Sequence, residues 1–449
     1  MNKFDFSKLC NGKAIICGLG RSNEAVISYI NKLGTKIAVY DKGKSKNEIE
    51  QVLQRLNVKD AHVISDDQVP NADFVFRTPG MRPDAEVIVK AMNKGAELIS
   101  ECELFFNIAK GKIFGITGSD GKTTTSTITY ELLKNKFGDK NVFLGGNIGK
   151  PLLSFLDQLN DDSITVAELS SFQLITMQIS PDRAVITNIT PNHLDYHTDI
   201  TEYILAKQKI ISDLRCKMLI SQRSVLERLK LLNSRLPEIC LQIEDPYLGV
   251  GEIDGYISCL GNKLINITDL KVSGYHNRLN FMLSVGLCHD LIEKHDVESV
   301  AKSFCGVAHR YEFVARKNGV DYYNSSIDST PSRTLTTLKN IDNSLITIIV
   351  GGYDKKLDYS ELAIYANKKV NMFILFGSNA DKIKKALIIA GVSMDRMLVA
   401  KDIYDAVHIS ASVTSFGGMV LLSPASASFD MFKDYEERGI VFKNIVNML

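Results

Sequence analysis

No apolar run in this chain approaches the length needed to span a bilayer. Nor is there an excess of charge. Lys and Arg number 53 against 52 Asp and Glu, a formal net charge of +1, so no global field points to nucleic acid or to an anionic membrane. The eight cysteines form no C-x-x-C pair and no His-paired metal spacing. Cys17 and Cys288 lie in apolar runs, where a reduced cysteine behaves as a small hydrophobe. With a polar N-terminus that has no signal-peptide core, this fits a reducing cytoplasm. Repeats and low-complexity linkers are missing as well. What remains is an ordinary globular composition, 45% hydrophobic and 23% charged over 449 residues. That length suggests roughly two to four domains.

The most informative stretch is Ile113-Phe114-Gly115-Ile116-Thr117-Gly118-Ser119-Asp120-Gly121-Lys122-Thr123-Thr124. A buried strand runs into a glycine turn, and a helical pattern follows to about Lys136. Glycines let backbone N–H groups close around phosphate oxygens, and the helix N-terminus and Lys122 add positive charge. Thr123 would place a hydroxyl on Mg²⁺. The usual phosphate-loop spacing asks for glycine at position 116, which is Ile116, so this loop is tighter. A triphosphate is implied; its use is not.

Before this stretch, Ala14–Cys17 leads into Gly18-Leu19-Gly20-Arg21-Ser22-Asn23, a helical pattern and a second strand, Lys36–Tyr40, ending at Asp41. This βαβ unit is Rossmann-like, with Asn23 in place of the third glycine. After it, strands are expected at Asn141–Leu144, Ile164–Glu168, Ala184–Asn188 and Lys217–Ser221, with a small antiparallel patch in 241–270. A third α/β unit begins near Val307, with strands at Phe313–Lys317, Asp321–Asn324, Leu345–Val350, Met372–Phe376, Met397–Ala400 and Met419–Leu422. The expected fold is α/β in three domains: 1–100, Rossmann-like; 101–306, a phosphate-loop parallel sheet with the antiparallel patch; and 307–449, again Rossmann-like.

Several side chains fall at strand ends, where open α/β sheets bind ligands. Glu168 is placed to hold Mg²⁺, or else to cap the next helix. His193, Asp195 and His197 share one loop, as ligands or as plain polar residues. Pattern alone makes Lys207 a solvated helix lysine with no role. Asn277 and Asn280 share a helix face, where they can read a purine or phosphate, or Asn277 can cap. Arg310 can clamp a phosphoryl group or form an interdomain ion pair.

Taken together, the ordered motifs GLGRSN, GITGSDGKTT, GGNIG, ELSSFQL, NITPNHLDYH, EYILAK, SGYHNRLN, HRYE, GGYDKK and LLSPASASFDMFKDYEERG resemble the Mur ligase superfamily over the whole chain. The first, fourth and last resemble its D-glutamate-adding branch. The resemblance implies an ATP-dependent amide ligase joining D-glutamate to UDP-N-acetylmuramoyl-L-alanine, a cytoplasmic monomer with two Mg²⁺. Ser22, Asp41, Thr78, Gly80, Asn147 and Ser170 would serve the UDP substrate. Gly118, Ser119, Asp120, Gly121, Lys122, Thr123, Thr124, Asn280 and Arg310 would bind ATP. Thr123, Glu168, His193 and a carbamylated Lys207 would hold the metals, with Lys122, His193 and Lys207 catalytic. Ser329, Lys355, Ser428 and Tyr435 would hold D-glutamate.

The sequence departs from the family pattern at Asn23, Gly43, Asn192, Ser325 and Ile327; Ser325 stands where an acid is common, and Asp328 follows it. Three other readings compete. A sister ligase such as a folylpolyglutamate synthetase is disfavoured by the N-terminal Rossmann-like unit. A nucleotide-regulated binding protein without catalysis is supported only by Ser325 and Ile327. A dinucleotide oxidoreductase is disfavoured by the phosphate loop and the missing third glycine.

Overall fold

A computed structural model describes residues 5–58, 60–193, 196–232, 234–272, 274–341, 343 and 345–449. Asp195 and Ser273 therefore lie outside the described residues. The chain forms two compact units, Met1–Phe304 and Cys305–Leu449. The first holds two sheets and the second holds one.

The first sheet contains β1 (Lys13–Cys17), β2 (Lys36–Tyr40), β3 (Ala61–Val63), β4 (Phe74–Arg77) and β5 (Glu97–Ile99), in the order β3-β2-β1-β4-β5. All pairings are parallel. The central strands are apolar without alternation because helices cover both faces: Ala14 to Cys17 and Phe74 to Arg77 are all buried. Winding reverses direction between β1 and β4, which opens a crevice at their carboxyl ends.

The second sheet contains β6 (Lys112–Thr117), β7 (Val142–Gly146), β8 (Ile164–Glu168), β9 (Arg183–Ile186), β10 (Met218–Gln222), β11 (Ile239–Ile243), β12 (Gly249–Ile253), β13 (Tyr256–Cys259) and β14 (Asn262–Asn266). Its order is β14-β13-β12-β11-β10-β9-β6-β8-β7. β6 lies between β8 and β9, so the phosphate loop leaves the sheet with Glu168 on one side and the 187–197 loop on the other. Only the β12-β13-β14 end is antiparallel, as the patch reading expected. β11 was not expected; its mixed sequence ICLQI lacks the apolar run of a central strand, yet it pairs parallel with β10. One continuous core joins both sheets, with Ile16 and Ile27 from the first and Phe105, Phe155 and Leu174 from the second.

The second unit holds β15 (Glu312–Lys317), β16 (Val320–Asn324), β17 (Ile346–Gly351), β18 (Met372–Phe376), β19 (Met397–Val399) and β20 (Met419–Leu422). Its order is β15-β16-β20-β17-β18-β19. All neighbours are parallel except β15 and β16. The parallel-sheet expectation misses this hairpin. Asn318 and Gly319 have φ of 51° and 76°, and two positive φ values suit a tight hairpin turn. All eight cysteines are free. Among the described residues, no helix is long and apolar enough to cross a membrane.

Candidate active site

The phosphate loop is built on two glycines that side chains could not replace. Gly118 has φ of 150°, and a Cβ there would sit 1.8 Å from Thr187 Oγ1. Gly121 has φ of 76° and caps the helix Lys122–Phe137; a Cβ there would sit 2.3 Å from Asn280 Oδ1. Asn280 thus packs on the loop, where Thr125 donates to its amide oxygen at 3.3 Å. The Ser119 and Asp120 N–H groups donate to the main-chain and side-chain oxygens of Asn188, at 3.0 and 2.9 Å. Lys122 Nζ donates to the carbonyls of Gly118 and Ser119, at 2.9 and 2.8 Å. Thr123 is buried and Thr124 half-buried on the first turn.

Glu168 ends β8 beside Ile116 and is buried. It is not a helix cap: Ser170 is, through a reciprocal pair with Gln173. Asn147 donates to Glu168 Oε1 at 2.7 Å, and its own N–H donates to the Glu168 carbonyl at 2.8 Å. The other carboxylate oxygen, Oε2, is buried without a hydrogen-bond partner. A buried carboxylate oxygen with no donor fits a cation ligand, and a hard oxygen suits Mg²⁺. Among the described residues, no three His, Cys, Asp or Glu gather. A metal set here would therefore draw on hydroxyl and phosphate oxygens as well.

Lys207 overturns the solvated-lysine reading. Its side chain is 1% exposed. Nζ donates to Gly118 O at 2.6 Å and stands over the Tyr203 ring at 4.5 Å. Burial, and then the neighbouring Lys122 charge, hold its amine well below the usual lysine pKa. Tyr203, one turn earlier on the helix Ile200–Gln208, bonds Ser119 Oγ at 2.8 Å. The sequence reading passed over Tyr203, although the i, i+4 spacing to Lys207 places both on one helix face.

The two loop histidines part company. His193 is exposed with φ of 55°, its ring edge-on to Phe172 at 4.9 Å. Asn192 Oδ1 accepts the His193 N–H at 2.8 Å, as an aspartate there would. His197 is buried, bonded to Glu202 Oε2 at 3.2 Å and Ser171 Oγ at 2.9 Å. Burial lowers its pKa, so it stays neutral near pH 7.

At the crevice of the first sheet, Asp41 orders the glycine loop. It accepts from the N–H groups of Leu19 at 2.6 Å and Gly43 at 2.8 Å. Asn23 takes the third-glycine position by turning inward: its Nδ2 donates to the carbonyls of Gly18 at 2.7 Å and Cys17 at 3.1 Å. Thr78 follows β4 and packs on Gly18, where a Cβ would lie 2.4 Å from Thr78 Cγ2. Ser22 stands in the first turn of the helix Arg21–Lys32, and Gly80 is exposed in the loop after β4. The strand ends of β1, β2 and β4 thus gather the four expected residues at one edge.

In the second unit, the loops after β16, β17 and β20 are adjacent because those strands are. Tyr353 bridges to Ala427. The buried Arg438 donates to the Ser326 carbonyl at 2.8 Å and to those of Ser426 and Ala427 at 3.1 Å. Lys355 is exposed, its Nζ 5.9 Å from the Phe429 ring centre. Ser428 is buried; Ser329 and Tyr435 are half-buried. The Tyr435 carbonyl accepts from Ser326 Oγ at 2.8 Å. Arg310 is exposed. Asp328 does not stand in for the missing acid at 325. Its Oδ2 is held inside the unit by Ser423 at 2.7 Å and Thr337 at 2.8 Å.

Comparison with known proteins agrees with this fold. Residues 12–100 match the Mur ligase MurD-like N-terminal domain and 116–288 the Mur ligase middle domain. A UDP-N-acetylmuramoylalanine–D-glutamate ligase of Clostridium kluyveri is 39% identical, over 99% of this chain and 98% of its own length. Two solved structures share the fold. The UDP-N-acetylmuramate-alanine ligase of Thermotoga maritima has a TM-score of 0.53 at 18% identity, over 97% of this chain and 99% of that one. The MurF ligase of the same organism, in complex with ADP, has 0.50 at 16%, over 92% and 95%. The chain belongs to the Mur ligase family and is an amide-forming, ATP-using ligase.

Proposed function

We propose that this ligase joins D-glutamate to UDP-N-acetylmuramoyl-L-alanine through an acyl phosphate. The observation that carries the choice of substrates is the near-full-length relative of that name at 39% identity. The proposed boundaries are 1–100 for the UDP-substrate domain, 101–306 for the ATP domain and 307–449 for the amino-acid domain.

The chemistry follows from the residues. An alanine carboxylate is a poor electrophile at neutral pH. Ser22, Asp41, Thr78, Gly80, Asn147 and Ser170 bind and orient the nucleotide substrate, so that its carboxylate oxygen attacks the γ-phosphorus of ATP and ADP leaves. The loop 118–124 cradles the triphosphate, and Lys122 offsets charge that would repel the carboxylate. Asn280 packs on this loop and, with Arg310, contacts ATP. Thr123, Glu168, His193 and a carbamylated Lys207 would hold two Mg²⁺, which when bound neutralise phosphate charge. The lowered basicity of Lys207 favours the free amine, the form that reacts with CO₂. Ser329, Lys355, Ser428 and Tyr435 hold D-glutamate. Its deprotonated amine attacks the acyl carbon, and the tetrahedral intermediate collapses to amide and phosphate.

The test is phosphate release from ATP with UDP-N-acetylmuramoyl-L-alanine, scanning amino acids. Release that depends on D-glutamate is expected; dependence on another amino acid, or none at all, sinks the reading. In the same assay Lys207→Ala should lose activity and regain part of it with added short-chain carboxylate. Unchanged activity would remove Lys207 from the site.

A further inference from the structure

Two arginines of the first sheet hold the second one, and they bracket Thr78 and Gly80. Arg77, at the end of β4, is buried. It donates to the Met81 carbonyl at 2.8 Å, within its own loop, and to the Phe172 carbonyl in the turn after Glu168. Arg82, at the far end of that loop, donates to the Tyr196 carbonyl at 2.6 Å and to both oxygens of Glu202 at 3.1 and 3.2 Å.

Glu202 passes the connection on. Its Oε2 also accepts from Thr198 N–H at 2.9 Å and faces His197 Nδ1 at 3.2 Å. A carboxylate only accepts, so Nδ1 carries the proton. Nε2, 2.9 Å from Ser171 Oγ, is then the acceptor of that hydroxyl. Ser171 follows the Ser170 cap in the turn that begins at Glu168, and Glu202 shares a helix with Lys207. The His197 ring lies on Phe172 at 5.7 Å and edge-on to Tyr203 at 5.3 Å. One continuous chain of bonds thus runs from the loop bearing Thr78 and Gly80 to the elements bearing Glu168 and Lys207.

We propose that Arg82, Glu202 and His197 are positioning residues for the ligase reaction, fixing the nucleotide-substrate loop in register with the phosphate loop. This rests on the assignment of Thr78 and Gly80 to the UDP-substrate pocket. The nucleotide end of the substrate is held by the first sheet, while its remainder and the γ-phosphate are held by the second, so the bonds between the sheets set the approach of the reacting atoms. Misplacement by about 1 Å costs on the order of 100-fold in rate. A mere staple between the sheets would lower stability and leave the kinetic constants alone.

The test uses the full chain and the variants Arg82→Lys, Glu202→Gln and His197→Asn. Calorimetry measures binding of a non-hydrolysable ATP analogue with and without UDP-N-acetylmuramoyl-L-alanine, and steady-state assays give kcat and KM. Each variant should lower kcat by roughly tenfold or more, within the reach of such misplacement. Binding of each ligand alone should stay within about twofold, and any mutual tightening seen in the parent should disappear. Arg82→Ala with His197→Ala should cost no more than the worse single change, because both cut one chain. Variants that lose only melting temperature, or whose effects add in full, overturn the relay. Should Arg82→Ala fail to fold, the shape-preserving Glu202→Gln decides. If the parent itself shows no D-glutamate-dependent turnover, the proposed function fails, and the calorimetric arm still judges the relay.

Discussion

At the residue scale, single atoms decide. Gly118 has no room for a methyl group, since Thr187 Oγ1 would stand 1.8 Å from it. The neighbour in the way belongs to the end of the adjacent strand, so relief requires backbone movement. Gly118→Ala should cost about 2–4 kcal/mol in denaturant unfolding, as overpacked, strained sites do. It should also abolish binding of ATP. Glu202 offers a pH signature. The Arg82 guanidinium is the largest cause of its lowered pKa, about 2 against the ordinary 4.5. A carboxyl with a depressed folded pKa adds stability above its unfolded pKa and loses it as pH falls through the folded value. The gap in unfolding free energy between the parent and Glu202→Gln should therefore be full above about pH 5 and shrink between 4.5 and 2. For a part-exposed pair its size should be about 1 kcal/mol.

At the element scale, the turn after β8 matters most. Ser170 caps four helical residues, and Gln173 returns the bond to the cap. So short a helix has little stability of its own. Ser170→Ala should cost about 1 kcal/mol of stability by chemical denaturation, and should loosen the turn that positions Glu168. Elements with a strong pattern were legible in the sequence: Lys36–Tyr40, Ile164–Glu168, Met372–Phe376 and Met419–Leu422 emerge with the expected bounds. β11 was not legible, because its mixed sequence ICLQI carries no period distinct from a loop, although the strand lies inside the sheet between β10 and β12. Lys207 was legible as helix and misread as solvated. Burial of one lysine depends on what packs over it, and the helix that carries it has no clear polar face to read. Arg82 and Glu202 were missed for a related reason. Their partnership spans 120 residues of sequence, and nothing in either neighbourhood announces it.

At the scale of the whole molecule, three sheets each gather loops at carboxyl strand ends, two in one compact unit and one in the other. The phosphate loop and the loop bearing Thr78 and Gly80 therefore share one body and one continuous core. Lys207 lies within that body, its amine enclosed and close enough to Lys122 to feel its charge. Enclosing an amine where burial and the Lys122 charge oppose its protonation is a standing cost to the fold. Conversion to a carbamate in the presence of Mg²⁺, as proposed above, would remove that cost, and any species that binds only the folded chain stabilises it by mass action. Thermal tolerance should accordingly follow dissolved inorganic carbon. At fixed pH, with Mg²⁺ present, raising bicarbonate should raise the melting temperature of the parent and leave Lys207→Met unmoved, as scanning fluorimetry would record. The supply of carbon dioxide would then govern how long the enzyme survives as well as how fast it works.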